Sequence, residues 1–246
     1  MVATAQLVLG KLQDNDVEAG MPLLRPLHQE LHWAFIRKVY AILTIQLLAT
    51  IFFASLVVSV PSVGTFIKDS SFGLGLYIAV LVLALIVAIF LYCFQHSYPV
   101  NFILLGIFTL CYGFVIGMIA AFANGNLVIQ SASVTILAVF SLTAYTIWAS
   151  RRGQVFSFLL PFLITILVVV PVLAILQIFF PMGKVLDVIY SGILVLLFCA
   201  LIIYHTAVMI KSNSYDDYIW ASVSLYLSII NLFLEVLSFI FTLKSN

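Results

Sequence analysis

The chemistry in this sequence is concentrated in two neighbouring segments near its C-terminal end. Tyr204-His205-Thr206 lies in one apolar run, and Ser224, Ser228, Asn231 and Glu235 lie in the next. The four polar residues are spaced by four, three and four positions, which puts them on one face of a helix. Such a stripe must face other helices or water, because polar groups are costly in hydrocarbon. His205 is the only histidine inside an apolar run. It can serve as a neutral ring hydrogen-bonded between helices, or as a proton- or ion-sensing group. No second His, Cys or carboxylate stands at helical ligand spacing from it, so a metal or haem site is not expected. Glu235 is the only carboxylate within a run. Counting from Tyr218 at 1.5 Å per residue, Ser228 lies about 15 Å and Glu235 about 26 Å along the helix. Glu235 is therefore expected near the far interface, as a solvated or hydrogen-bonded structural group or as a cation site at a pore mouth. It is too far along the axis to pair with a group opposite Ser228. His205, Ser228, Asn231 and Glu235 together are the candidates for an ion pathway or gate.

Two other groups have structural readings. Asp216 and Asp217 precede the last run and are expected to cap it, where a helix N-terminus favours anions. Gly113, Gly117 and Ala121 repeat every four residues, a pattern that lets helix backbones approach closely. It is read first as an intramolecular packing seam and second as a dimer contact.

The elements that position these residues follow from composition. Of 246 residues, 65% are hydrophobic and 8% charged, with a mean hydropathy of +1.26. A soluble domain carries about 25% charged residues. A soluble globule and a disordered chain are both excluded, and a net charge of +1 offers no basic surface for nucleic acid. The chain is expected to be an integral membrane protein. Cys93, Cys111 and Cys199 all sit in apolar runs and read as small hydrophobes. Residues 1–38 lack the apolar core of a cleavable signal peptide, so the first span is expected to act as the entry signal.

The nineteen charged residues cut the chain into seven uncharged or nearly uncharged runs of 21–26 residues. These are Val39–Val60, Leu74–Phe94, Phe102–Ala123, Leu127–Ala149, Phe156–Phe180, Val188–Ile210 and Tyr218–Leu243. A helix needs roughly 20 residues to cross the hydrocarbon core. Runs such as Ile78-Ala-Val-Leu-Val-Leu-Ala-Leu-Ile-Val87 do not alternate, which argues for helices over a barrel. Pro161 and Pro171 are expected to bend the fifth span. The predicted organisation is a tail over residues 1–38, a seven-helix domain over 39–243 and a short tail over 244–246. Lys11, Arg25, Arg37, Lys38, Arg151, Arg152 and Lys211 collect on the N-terminal side, against Lys68, Lys184 and Lys244 on the other. The excess predicts a cytosolic N-terminus.

Several segments, taken together, are specific. Trp33-Ala-Phe-Ile-Arg-Lys-Val-Tyr40, Tyr98-Pro-Val-Asn-Phe102, Leu176-Gln-Ile-Phe-Phe-Pro-Met-Gly-Lys184, Tyr190-Ser-Gly192, Ile202-Ile-Tyr-His-Thr206, Tyr215-Asp-Asp-Tyr-Ile-Trp220 and Leu225-Tyr-Leu-Ser228 follow one another at compatible spacing. Over residues 30–243 the chain resembles the Bax inhibitor-1 family, most closely the plant Lifeguard branch. The resemblance implies an all-α seven-helix bundle with the last helix central. It also implies endoplasmic reticulum or another endomembrane, modulation of programmed cell death, and a passive pH-sensitive Ca²⁺ leak. That leak is ascribed to one aspartate in the sixth helix and one in the seventh. Two close carboxylates in low dielectric share a proton and can switch a bundle between states. At the corresponding positions this chain has His205 and Ser228, so the resemblance implies that gating is altered or lost.

No paired aspartates, Gly-x-Ser-x-Gly elbow or phosphate-cradling loop points to an enzyme, and no cofactor is implied. The expected partners are the lipid bilayer, Ca²⁺ as a permeant ion and other membrane proteins of cell-death control. The alternative is a non-transporting scaffold acting through such partners. A seven-helix ligand receptor is disfavoured, since the last span lacks Asn-Pro-x-x-Tyr.

Overall fold

The computed structural model describes residues 33–60, 71–153, 159–161, 163–166, 168–169, 172, 183–211 and 217–244. The described residues form helices and short connections, with no strand among them. In chain order the helices are α1 (Trp33–Ser59), α2 (Ser71–Cys93), α3 (Val100–Phe122) and α4 (Gly125–Arg151). Helical residues at 159–161, 163–166, 168–169 and 172 make up α5. Then come α6 (Lys184–Lys211) and α7 (Tyr218–Lys244). Among the described residues six helices, α1 to α4, α6 and α7, are long and apolar enough to cross a membrane. The architecture is an all-α polytopic bundle.

The helices overrun the uncharged runs at several ends. Residues 33–38, expected in the tail, already belong to α1. Aromatic rings and cations meet at this rim of the bundle. Lys38 Nζ stands 3.2 Å from the centre of the Tyr218 ring, and Arg151 faces Trp33 at 5.8 Å. Phe35 and Val39 are buried against Met209 of α6. Charges at helix ends are likewise absorbed in α6, where Asp187 lies in the first turn and Lys211 in the last. Both signs suit the helix dipole. Pro161 lies within α5, and its carbonyl accepts a hydrogen bond from Thr165 at 2.9 Å. Pro171 lies outside the described residues.

The connections among the described residues are short. Asn101, buried, donates through Nδ2 to the Gln95 carbonyl at 3.0 Å and accepts from the Phe102 amide at 2.8 Å, closing the turn between α2 and α3. The α4 C-terminus ends at Gly153, whose φ of +74° is the left-handed conformation that favours glycine after a helix.

The core is organised around α7. It packs against α6 and α4, α6 packs against α4, and α2 packs against α3. The main cluster draws on Leu43 of α1, Leu91 of α2, Phe108 of α3 and Ile202 of α6, all closing on Ile219, Val223, Tyr226 and Leu232 of α7. The ring of Tyr226 meets those of Phe108 and Tyr112 edge-on, each at 6.0 Å. A smaller cluster joins Leu159 and Leu163 of α5 to Leu194 and Leu197 of α6. The outer surface is apolar: Ile89, Leu137, Phe140 and Leu196 are each about two-thirds exposed or more. Such a surface is tolerable only in lipid.

Gly113 and Gly117 set how closely α1 and α3 approach. A Cβ added at Gly117 would fall 2.7 Å from Val57 Cβ and 2.9 Å from Ala54 Cα, and one at Gly113 would fall 3.0 Å from Phe53 Cβ. The two glycines therefore face α1 within one chain. Ala121, one turn further, is half-buried.

Candidate functional site

The polar stripe of α7 and the His205 segment of α6 face each other where the two helices pack together. His205 Nδ1 and Ser228 Oγ are 3.0 Å apart. The Ser228 hydroxyl also lies 2.9 Å from the Ser224 carbonyl on its own helix. A hydroxyl has one proton to donate. Spent on the Ser224 carbonyl, it leaves the Ser228 oxygen to accept from Nδ1–H of the imidazole. The serine then both donates and accepts, and the histidine is oriented with Nε2 on the far side of its ring. Ser228 is buried and His205 half-buried, with the Tyr204 ring 5.6 Å from the imidazole.

Asn231 and Glu235 do not join this pair. Asn231 donates from Nδ2 to the Leu227 carbonyl at 2.8 Å, back onto its own helix. Glu235 is half-buried two turns beyond Ser228, within electrostatic range of Tyr190 on α6. Among the described residues no three His, Cys, Asp or Glu side chains group into a metal site. Asp216 lies outside the described residues. Asp217 stands at the start of α7, where its carbonyl accepts from the Ala221 amide at 3.0 Å. Its carboxylate reaches His96 Nε2, at 3.5 Å, in the turn between α2 and α3.

Two arrangements at this site are invisible in the residue spacing. The Tyr226 hydroxyl lies 2.7 Å from Thr50 Oγ on α1, and the Thr50 hydroxyl lies 2.8 Å from the Gln46 carbonyl. By the same proton count, Tyr226 donates to Thr50. Positions 226 and 228 point about 200° apart on a helix with 3.6 residues per turn. The central helix is therefore held from two sides, to α1 through Tyr226 and to α6 through Ser228. Beside His205, the fully buried Thr206 faces Tyr40 of α1, which also lies close to Thr143 of α4. The hydroxyls of Tyr40 and Thr206 are buried close to each other, yet neither closes a hydrogen bond among the described residues. A neighbour for Thr206 from a helix so much earlier in the chain leaves no local signal in sequence.

This arrangement, a central helix tied to its neighbours by polar contacts inside a lipid-facing bundle, defines an integral multi-pass membrane protein. The family model described as "Inhibitor of apoptosis-promoting Bax1" matches residues 32–246. The chain is 47% identical over 231 residues to Protein LIFEGUARD 3 of Arabidopsis thaliana, covering 91% of this chain and 93% of that protein. It is 33% identical over 207 residues to Protein lifeguard 4 of Mus musculus, covering 84% of each. It is also 33% identical over 211 residues to the Golgi anti-apoptotic protein of vaccinia virus, covering 83% of each. The chain belongs to the Bax inhibitor family, on its Lifeguard side.

Proposed function

We propose that this chain is an endomembrane protein that restrains programmed cell death, with a Ca²⁺ leak whose pH gating is altered or lost. The membership and the names of the vaccinia and family relatives support the cell-death part. The observation that carries the mechanistic part is the 3.0 Å contact between His205 Nδ1 and Ser228 Oγ. It occupies the positions where the family resemblance leads one to expect a proton-sharing aspartate pair. A carboxylate pair can hold one proton or none, and its repulsion when doubly ionised can drive two helices apart. A histidine donating to a serine has no such second state: the contact is neutral, satisfied and attractive. It also lacks the anionic oxygens that Ca²⁺ prefers. The reading is that His205 and Ser228 latch α6 to α7 and hold the bundle in one state. Asn231 and Glu235 lie further along any path past that latch, Glu235 towards its mouth.

Purified protein in Ca²⁺-loaded liposomes tests this. The expected result is a flux that is small and nearly independent of pH between about 5.5 and 8, the span in which a shared carboxyl proton or a histidine would titrate. The double variant His205→Asp with Ser228→Asp is expected to leak with a pH-dependent rate, since it restores the carboxylate pair on the same scaffold. A steep pH-dependent leak from the unaltered chain, or a double variant that folds and stays silent, would sink the latch. No flux from either protein would favour the scaffold reading, in which partner membrane proteins carry the effect.

A further inference from the structure

Positive charge is unbalanced at the end of the bundle where α1 begins, and it collects on one flank. Among the described residues that end carries Arg37, Lys38, Arg151, Arg152 and Lys211 against a single carboxylate, Asp217, which His96 engages. Lys38 turns to the Tyr218 ring of the central helix. Arg37, Arg151 and Arg152 are exposed and have no carboxylate partner among the described residues. Arg151 lies 5.8 Å from the centre of the Trp33 ring on α1, and Arg152 lies 4.0 Å from that of Trp148 on its own helix. Arg37 follows Trp33 by four residues and shares its helix face. Guanidinium groups and indoles thus alternate around the outer flank of the α1–α4 pair.

This flank is continuous with the lipid-facing surface. Trp33 and Trp148 are each nearly half exposed, as amphipathic rings at headgroup level are. Phe140 and Ala144, both exposed, lie below Trp148 on one face of α4 at four-residue spacing. A guanidinium stacked on an indole keeps its donors in plane, free to meet an anion edge-on, and its fork matches phosphate in bidentate pairs. The three groups also stand at two heights. Arg37 is one turn, about 6 Å, deeper along α1 than Trp33, beside which Arg151 lies.

We propose that this flank binds a phosphoinositide, a phospholipid whose headgroup carries a phosphomonoester beyond its diester. The diester, nearer the bilayer core, meets Arg37. The phosphomonoester, with a charge of about −1.5 to −2 at neutral pH, meets Arg151 and Arg152. The acyl chains descend along Trp148, Ala144 and Phe140. Three cations then face a matching negative charge at two levels. A lipid with a diester alone would leave two guanidinium groups unmatched, and an acidic protein segment would leave the apolar face below them uncovered. The site is separate from the His205–Ser228 contact and does not depend on its role.

The test uses full-length protein carrying Trp220→Phe, which leaves Trp33 and Trp148 as the only indoles, in phosphatidylcholine liposomes. Phosphatidylinositol 4-phosphate with brominated acyl chains is titrated in and indole quenching is read. Quenching is expected to saturate and to be competed by the unbrominated lipid. Brominated phosphatidylserine at matched charge should need about tenfold more or worse, the worth of one hydrogen bond between charged groups. Changing Arg37, Arg151 or Arg152 singly to Gln should weaken binding about fivefold, the effect of one cation at an anionic membrane surface. Changing all three to Lys keeps the charge but not the fork, and should weaken it about three- to tenfold. The comparison of the two lipids is read with all three arginines in place, so the proposal stays exposed if a variant fails to fold. Equal quenching by phosphatidylserine, a triple Lys variant that binds like the arginine protein, or displacement by soluble inositol 1,4-bisphosphate at the lipid's own concentration would each overturn it. Quenching that saturates with neither lipid would overturn it too, in favour of an acidic protein partner.

Discussion

At the scale of single residues, the governing quantity is the proton count of each hydroxyl. Ser228 donates within its own helix and accepts from His205, and Thr50 donates within its own helix and accepts from Tyr226. Each contact between helices is therefore made by a lone pair that a backbone bond has already oriented. Interhelical hydrogen bonds in membranes average about 0.6 kcal/mol, with a maximum near about 1.7. A double-mutant cycle on His205→Phe and Ser228→Ala, read by denaturant unfolding in micelles, should give a coupling energy in that range. A coupling of zero would mean that the contact does not hold α6 to α7. Tyr226→Phe removes one donor but leaves Thr50 bonded to the Gln46 carbonyl. It should cost about 0.5–1.5 kcal/mol, and it should leave the His205–Ser228 coupling unchanged, because the two contacts lie on opposite sides of α7.

At the scale of elements, the position of α1 against α3 is decided by two missing side chains. Gly117→Val would drive carbon atoms into the Ala54 and Val57 positions on α1, one of them backbone. Overpacking of this kind costs about 1–3 kcal/mol. Gly106→Ala, on the same helix, adds its Cβ to open space and should lose no stability, gaining up to about 1 kcal/mol from helix propensity. Thermal unfolding of the two variants in one detergent checks the contrast, and equal losses would refute the seam as the point of closest approach. Past Gly113 towards the rim, α3 presents Thr109, Gly106 and Phe102 to α1, around a groove of about 380 Å³.

For the whole molecule, alternate connections fall at opposite ends of the bundle. Lys38, Arg151 and Asp217 gather at one end, where they meet Tyr218, Trp33 and His96. Lys244 bonds Gln130 near the start of α4 at the other, with Nζ 2.7 Å from Oε1. The excess of Lys and Arg on the first end predicts that it faces the cytosol. In sealed microsomes, with Cys93, Cys111 and Cys199 replaced by Ala, His96→Cys should react with a membrane-impermeant thiol reagent. Asn124→Cys should react only after permeabilisation. The reverse pattern would invert the topology.

The number of helices, their helical character and their order could be read from the sequence, because each depends on local composition over about 20 residues. The stripe on α7 was legible for the same reason, since Ser224, Ser228, Asn231 and Glu235 share a face by periodicity alone. Helix ends were read less well. Arg37 and Lys38 look like a boundary in one dimension, whereas the fold gives Lys38 an aromatic ring to rest on. What only the tertiary structure decided is which groups meet. That His205 reaches Ser228 while Glu235 does not, that Tyr226 is tied to Thr50, and that Gln46 keeps an unmatched oxygen all depend on how helices distant in sequence pack. In lipid the hydrophobic effect no longer discriminates between helix faces, so that packing rests on shape and a few hydrogen bonds, and periodicity encodes neither.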